Sequence, residues 1–192
     1  HQFDLRRLIR VIASTNAYQR DSEADFEVTV KHEHYWAAFP LSRLRPEQVA
    51  SSIVQGSSLQ TIDADSHVLS QLTKFNQSRE FVLRYGDMGQ DEFVDRGGTI
   101  SQRLLMMNGD LVKERLGDNL IANAATRIAV VCPDDEQLVE SVYLSLLTRR
   151  PSEAERKVFV ERLSSLKNIP RRNAVADLYW VLFNSTEFSW NH

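Results

Sequence analysis

The 192-residue sequence lacks residues and patterns that are typical of several classes of protein. Its single cysteine, Cys132, cannot form an intramolecular disulfide or a thiolate metal cluster. Lys and Arg number 23 against 26 Asp and Glu, so the formal net charge of -3 lacks the basic excess of a nucleic-acid binder. No run approaches the roughly 18 apolar residues of a membrane-spanning helix, and no charged-then-apolar leader opens the chain. We therefore predict no nucleic-acid partner and no membrane span.

Local motifs that carry chemistry are also missing. The sequence holds no nucleophile elbow, no zinc-protease helix and no dinucleotide-binding turn. Gly97-Gly98-Thr99 precedes a helical pattern but lacks the lysine and the spacing of a phosphate loop. We therefore predict no cofactor and assign no catalytic residue, while the question of enzyme activity stays open.

Apolar residues near the start of the chain repeat at helical spacing. They are Leu5, Leu8, Ile9, Ile12 and Ala13. This pattern predicts an amphipathic helix that buries one stripe and ends near Asn16. Because the helical pattern begins within the first ten residues and the chain does not start with Met, we expect a piece of a larger protein.

Helix signals continue through the rest of the chain. Pro46 suits the first turn of a helix, Asn108-Gly109 predicts a left-handed stop, and Ser152 with Glu155 forms a capping box. Residues 57–98 carry the weakest pattern and two turn-rich stretches, which predicts a loop-rich middle. The fold prediction is all-α: one irregular domain over residues 1–192 with about seven or eight helices.

One segment has the alternation of a strand. Phe26 to Val30 alternates apolar and polar residues, and without a second such run it predicts an extended crossing over the helical body. His32 and His34 follow it, and residues two apart on an extended segment project from one face, where they could share a metal ion. Since no third ligand is identifiable, we predict no metal site and keep the two histidines only as candidates.

Taken over its whole length, the chain resembles the C-terminal domain of unknown function of planctomycete multidomain proteins. These proteins often carry a cytochrome-c-like domain and a second uncharacterised domain upstream. The resemblance covers nearly the whole chain, in order. The matching residues are His1 to Leu5, Leu8 to Arg10, Ser14 to Gln19, Arg43 to Val49, Thr99 to Gln102, Leu105 to Gly109, Leu147 to Pro151 with Glu155, Leu182 to Ser185, Glu187-Phe188 and His192.

The resemblance implies a cellular location and partners but no specific reaction. It implies an exported bacterial protein in the cell envelope or a periplasm-like compartment, with the upstream domains of the same protein as partners. A link to polysaccharide use, or to envelope proteins, is also implied. The haem-attachment motif of the upstream domain, Cys-x-x-Cys-His, is missing from this sequence, so we expect no haem here.

Several matched positions are polar, and two interpretations compete for them. They cap helices and tie segments together in one interpretation. In the other, Tyr18, Gln19, Arg43 and Gln102 converge on a pocket for a sugar or an acidic group. The first function hypothesis is a non-catalytic interaction or accessory module. The alternative is part of a carbohydrate-processing enzyme whose active site an upstream domain completes. A cleft that joins carboxylates from distant segments favours the enzyme, whereas an exposed apolar patch on the first helix favours the module.

Overall fold

Helices carry most of the backbone. The computed structural model describes residues 4–19, 26–35, 37–38, 42–60, 62, 66–86 and 99–191. Of these residues 69% are helical, and each of the two strands has only two residues, which confirms the all-α prediction. The elements are α1 (Leu5–Ala13), α2 (Val30–His34), β1 (Ser42–Arg43), α3 (Pro46–Ser57), α4 (Val68–Tyr85), α5 (Ile100–Asn108), α6 (Asp110–Leu116), α7 (Ala124–Val131), α8 (Asp135–Leu147), α9 (Glu153–Leu163), α10 (Asn168–Phe183), α11 (Thr186–Ser189) and β2 (Trp190–Asn191).

The chain divides into two compact units. Unit 1 comprises residues 1–41 with residue 192, and unit 2 comprises residues 42–191. The single domain expected from the sequence stays a prediction. In the described part of the chain, no helix is both long enough and apolar enough to cross a membrane.

Helix α3 lies at the centre of unit 2. Its first turn has Pro46 at a position where the missing N–H costs nothing, and the Arg45 N–H donates to Gln48 Oε1 at 2.9 Å. The helix packs against α4, α6, α7 and α8. Four apolar α3 side chains have no exposed surface, namely Val49, Ala50, Ile53 and Val54. Because α3 is buried this deeply, the neighbouring helices pack around it.

The second organising element is α10, which packs on α6, α7, α8 and α9. The stripe expected from its spacing is buried as predicted, with at most 4% of any side chain exposed. Its members are Val175, Leu178, Tyr179, Leu182 and Phe183. After α10 the chain returns to the start of unit 2, where β2 pairs antiparallel with β1 and the Leu44 N–H donates to the Ser189 carbonyl at 3.0 Å.

The middle of the chain differs from the loop-rich stretch predicted over residues 57–98, because the 18-residue α4 lies there. Phe81 and Tyr85, each 3% exposed, stack one turn apart with 5.2 Å between ring centroids. Leu72 and Phe75 stay more than half exposed. Among the described apolar side chains of α4, burial is therefore confined to Phe81, Val82 and Tyr85 near its C-terminal end. Residues 61, 63–65 and 87–98 of this stretch lie outside the described residues.

Two glycines are needed for space. A Cβ on Gly56, inside α3, would lie 2.6 Å from Leu146 Cδ2 of α8. The prediction of a left-handed stop at Asn108-Gly109 is wrong, because Gly109 has a φ of -65°. A Cβ on Gly109 would lie 2.4 Å from the Leu105 carbonyl oxygen. Glycine at both positions permits a close approach of neighbouring atoms.

In unit 1, α1 forms where the sequence predicts, but its apolar stripe is not buried. Asp4 Oδ1 accepts a hydrogen bond from the Arg7 N–H at 3.0 Å, and the helix ends at Ala13. The stripe residues are between 46% and 69% exposed. They are Leu5, Leu8, Ile9 and Ile12. Within unit 1 the predicted stripe is therefore not buried, because these side chains keep about half or more of their surface accessible.

Candidate functional site

Arg43 and Gln102, two of the four predicted binding residues, meet in unit 2. Arg43 Nη1 donates to Gln102 Oε1 at 2.6 Å, and Arg43 Nη2 donates to the Tyr85 hydroxyl at 2.8 Å. Gln102 Nε2 donates to the Tyr85 carbonyl at 2.9 Å, and Gln102 Oε1 also accepts from the Thr99 N–H at 3.1 Å. Gln102 is 8% exposed, and both the oxygen and the nitrogen of its side-chain amide have hydrogen-bond partners. The cluster therefore ties β1, α4 and α5 together.

Tyr18 and Gln19, the other two predicted binding residues, lie in the turn that follows α1 in unit 1. Gln19 Nε2 donates to the Ala13 carbonyl at 3.2 Å, and so satisfies a carbonyl at the end of the helix. The Tyr18 side chain is 68% exposed, and its backbone N–H donates to the Thr15 carbonyl at 3.1 Å. For Gln19 this geometry matches the helix-capping interpretation.

His32 and His34 do not share a face. The alternating segment that ends at Val30 does not continue as a strand, because Val30 begins α2 and both histidines lie on that helix. Residues two apart on a helix point roughly 200° away from each other around its axis. Thr29 N–H donates to His32 Nδ1 at 3.0 Å, which explains this histidine locally. Among the described residues, no group of three or more His, Cys, Asp or Glu could hold a metal ion.

Four arginines that the sequence places near helix ends are all paired with carboxylates. Arg150 Nε lies 3.0 Å from Glu140 Oε1, and Arg172 Nε lies 3.0 Å from Asp118 Oδ1. The Arg171 side chain is only 13% exposed; it pairs with Asp135 and donates to the Ala129 and Cys132 carbonyls at the end of α7. The fourth is Arg149.

Arg149 joins α9 and α11 through two carboxylates. It donates to both oxygens of Glu155 at 2.9 and 3.0 Å and to both oxygens of Glu187 at 2.5 and 2.7 Å. Its remaining N–H reaches the Arg150 carbonyl at 3.0 Å. The hydrogen bonds from Arg149 lower the pKa of Glu155 to about 2, and burial, with these carboxylates nearby, raises the pKa of Tyr143 to about 12. The cluster is a fully paired structural tie.

A groove of about 1160 Å³ opens on unit 2. Residues 58–60, 62, 66 and 67, which lie between α3 and α4, contribute to its walls, together with the end of α3, Lys74 of α4 and parts of α6, α7 and α8. Their packing on α3 fixes these walls: Val112 of α6 is 1% exposed and Ala125 of α7 is 1% exposed. The helical part of the wall is therefore held by the core, while the other half of the lining residues lie between helices.

The described lining of this groove is basic. It includes His67, Lys74, Arg115 and Arg127, and no described carboxylate lines it. Lys74 Nζ donates to the Ile62 carbonyl at 3.3 Å, and the Arg127 side chain makes no hydrogen bond or ion pair with a described residue. Asp63 and Asp65, which lie between the lining residues Ile62 and Ser66 in the sequence, are outside the described residues.

Arg115 is the most constrained cation of the groove. Its Nη1 donates to Ser58 Oγ at 3.4 Å and its Nη2 to Gln77 Oε1, both neutral acceptors. Its buried Nε has no hydrogen-bond partner, and burial lowers the pKa of this guanidinium despite the nearby Glu114. A guanidinium held this way is not neutralised by an ion pair with a described residue.

The start of α7 adds to the positive charge of this wall. Asn123, at the N-cap position, uses its Nδ2 to donate to the Gly117 and Glu114 carbonyls at 2.7 and 3.0 Å, and makes no side-chain cap. The first N–H groups of α7 thus have no side-chain acceptor, and Ala122 and Ala124 beside them line the groove.

Sequence reasoning missed this groove. Its cations come from α4, α6 and α7, separated by about forty residues between Lys74 and Arg115. Lys74 and Arg127, unlike Arg115 in the last turn of α6, have no helix-end role that explains their charge. Comparison with protein-family models, with curated proteins and with solved structures finds no match for this chain.

Proposed function

We propose that this chain is a non-catalytic helical interaction module, and that the apolar stripe of α1 packs against another domain of the same longer protein. The exposure of that stripe is the observation that carries the proposal. Leu5 and Ile9 are 69% and 66% exposed, on a helix whose ends are hydrogen-bonded. Contiguous exposed apolar surface at helical spacing is typical of a protein interface.

The free energy available from this surface suits an intramolecular interface. Full burial of a Leu or Ile side chain stabilises by about 1.5 to 3 kcal/mol relative to exposure. The four stripe side chains are roughly half exposed, so their burial is worth on the order of 3 to 6 kcal/mol before ordering costs. For domains linked in one chain, the effective concentration is already high, and such a contact holds without further surface.

The carboxylates of unit 2 support a module over a glycosidase. Glu155 and Glu187 come from distant segments and meet at Arg149, as a catalytic pair would. However, a general acid needs a raised pKa, and the pKa of Glu155 is lowered to about 2. The hydrogen bonds with Arg149 therefore account for the positions of both carboxylates.

The partner and the compartment come from the resemblance. It implies upstream domains of the same polypeptide in an exported envelope protein, and we propose that one of these domains covers α1. A lipid surface fits less well, because α1 has only nine residues and presents a short apolar face. Anionic vesicles therefore serve as the alternative outcome in the test.

A paired stability measurement tests this proposal. The Leu8→Gln/Ile9→Gln variant is made in the 192-residue chain and in the natural full-length protein, with Val158→Gln, at a site 61% exposed on α9, as the matched control. We expect the α1 variant to leave the melting temperature of the 192-residue chain unchanged, since both side chains are exposed. In the full-length protein it should lower the melting temperature by several degrees.

Two results contradict the proposal. No effect in either protein means that α1 is not an interface. A loss of vesicle binding by the α1 variant, with no change in stability of the full-length protein, assigns the stripe to a membrane surface. The Val158→Gln control should be neutral throughout.

A further inference from the structure

We propose that two copies of this chain form a dimer through an exposed apolar stripe of α4, with the two α4 helices antiparallel. This α4 stripe runs along nearly the whole helix, and its members are Val68, Leu72, Phe75, Arg79 and Leu83. The proposal goes beyond the function proposed for α1 and does not involve that helix, so either proposal can fail alone.

The residues of the α4 stripe share one side of the helix. At about 100° per residue they fall within an arc of about 80°, and they span about 22 Å from the first to the last. The four apolar members are between 53% and 72% exposed, and Arg79 is exposed as well. A contiguous exposed apolar surface of this length is typical of an interaction site.

Contacts on the other side of α4 fix the direction in which the stripe faces. Phe81 and Tyr85, each 3% exposed, lie about 120° to 160° around the helix from the middle of the stripe. Gln77, also away from the stripe, accepts a hydrogen bond from Arg115 of α6. Helices α3, α5 and α6 pack against α4. The stripe is therefore not the side of α4 that faces the core of unit 2.

The accessible area of the α4 stripe suits a dimer of two copies. Each apolar side chain presents roughly 100 Å², so pairing two stripes removes about 800 Å² from water. The stems of the two Arg79 side chains and the exposed Asn76 beside them raise the buried area above the roughly 1,000 Å² that a specific interface needs. Because this area is at the lower end of interface sizes, we expect a dissociation constant in the micromolar range.

The order of residues along the α4 stripe matches a second copy in antiparallel orientation. A two-fold axis between residues 75 and 76 places Val68 opposite Leu83 of the second copy, and Leu72 opposite the apolar stem of its Arg79. In a parallel pair the two Arg79 guanidinium groups would lie side by side, and like charges repel. The stripe is thus complementary to itself, which is the requirement of an interface between identical subunits.

Sedimentation equilibrium of the 192-residue chain tests the association. Between about 1 and 200 µM, the mass should rise from 22.1 kDa toward twice that value. Leu72→Gln/Phe75→Gln places two polar side chains in the stripe and should weaken dimerisation at least about tenfold. The matched control, Ile100→Gln/Leu104→Gln, makes the same kind of change at exposed positions of α5 and should dimerise like the unaltered chain.

Cross-linking tests the orientation of the two helices. In the Cys132→Ser background, Asn76→Cys lies beside the two-fold axis and should cross-link with itself through a short bismaleimide. Val68→Cys should not cross-link with itself, because the two copies of this residue are about 22 Å apart in the antiparallel pair. It should cross-link with Leu83→Cys when the two variants are mixed.

Four results would overturn the proposal. They are a chain that stays monomeric over the whole concentration range, equal weakening by the α5 control, and self-cross-linking of Val68→Cys, which indicates a parallel pair. The fourth is a natural full-length protein that is monomeric over the same range, because another domain of that protein would then cover the stripe.

Discussion

Replacing Glu155 with Gln tests the charge cluster around Arg149. Glutamine at this position can still accept the Ser152 N–H, which Glu155 Oε2 accepts at 2.7 Å, so the capping box survives and only the negative charge is lost. The pKa of Glu155 is lowered from 4.5 to about 2, mainly by its hydrogen bonds with Arg149. At about 1.36 kcal/mol per pKa unit this corresponds to about 3.4 kcal/mol of stabilisation at neutral pH.

Screening by solvent reduces this stabilisation. The side chains of Glu155 and Arg149 are 33% and 39% exposed, so screening lowers the expected loss of unfolding free energy to about 1.5 to 2 kcal/mol at pH 7. Because the folded-state pKa is depressed, the stabilisation is present above pH 4.5 and is lost as the pH falls through 2. At pH 3 roughly 40% of it should remain.

Urea unfolding followed by far-UV circular dichroism measures this difference at pH 7, 4 and 3. The control is Glu153→Gln in the same turn, because that carboxylate is 88% exposed and 3.9 Å from Arg156. We expect the control to change stability by less than about 0.5 kcal/mol at every pH. A loss for Glu155→Gln that is equally large at pH 3 and pH 7 would refute the ion-pair reasoning.

Three further predictions concern single side chains. Thr148→Gly should raise the unfolding free energy by about 1 kcal/mol, because Thr148 has a φ of 58° and an exposed side chain; an unchanged urea midpoint would contradict this. Gly56→Ala should lower it by about 1 to 3 kcal/mol through the contact with Leu146, and a stabilised variant would show that helix propensity outweighs that contact. Gln102→Leu should lower the unfolding free energy by about 2 kcal/mol, because the Tyr85 carbonyl loses its hydrogen-bond donor. Thermal unfolding measures this loss, and an unchanged melting temperature would contradict the structural role of Gln102.

The sequence predicted the helices that have regular apolar stripes or clear caps. The α10 stripe around Leu178 and Phe183 is buried as expected, and the Ser152 capping box forms with Glu155 N–H to Ser152 Oγ at 3.3 Å. Local physics decides these features, because the participating residues lie within one or two helical turns.

Helix α4 and the first stripe show where local patterns fail. In α4, Phe81 and Tyr85 are buried near one end, whereas Leu72 and Phe75 are more than half exposed. The α1 pattern is clear, yet Leu8 is 53% exposed, because a pattern indicates which face can be buried and not what buries it. Tertiary context settles both cases.

The candidate sites show the same limit of local sequence patterns. Arg43 and Gln102 meet as the convergence hypothesis expects, although their partners at Tyr85 and Thr99 make the cluster a structural tie. The basic groove was invisible in the sequence because its cations lie on three helices, and because only the structure shows that Arg115 has neutral partners. Spatial convergence over long separations carries no local signal.

Cysteine labelling in the natural full-length protein tests the central claim about α1 most directly. Cys132 is first replaced with Ser, and Leu8→Cys on the apolar face is compared with Arg7→Cys on the opposite, polar face. We predict that a maleimide labels both variants at the same rate in the 192-residue chain. In the full-length protein it should label Leu8→Cys at least about tenfold more slowly, with Arg7→Cys unchanged. Equal rates for Leu8→Cys in the two proteins would contradict the claim that another domain covers the stripe.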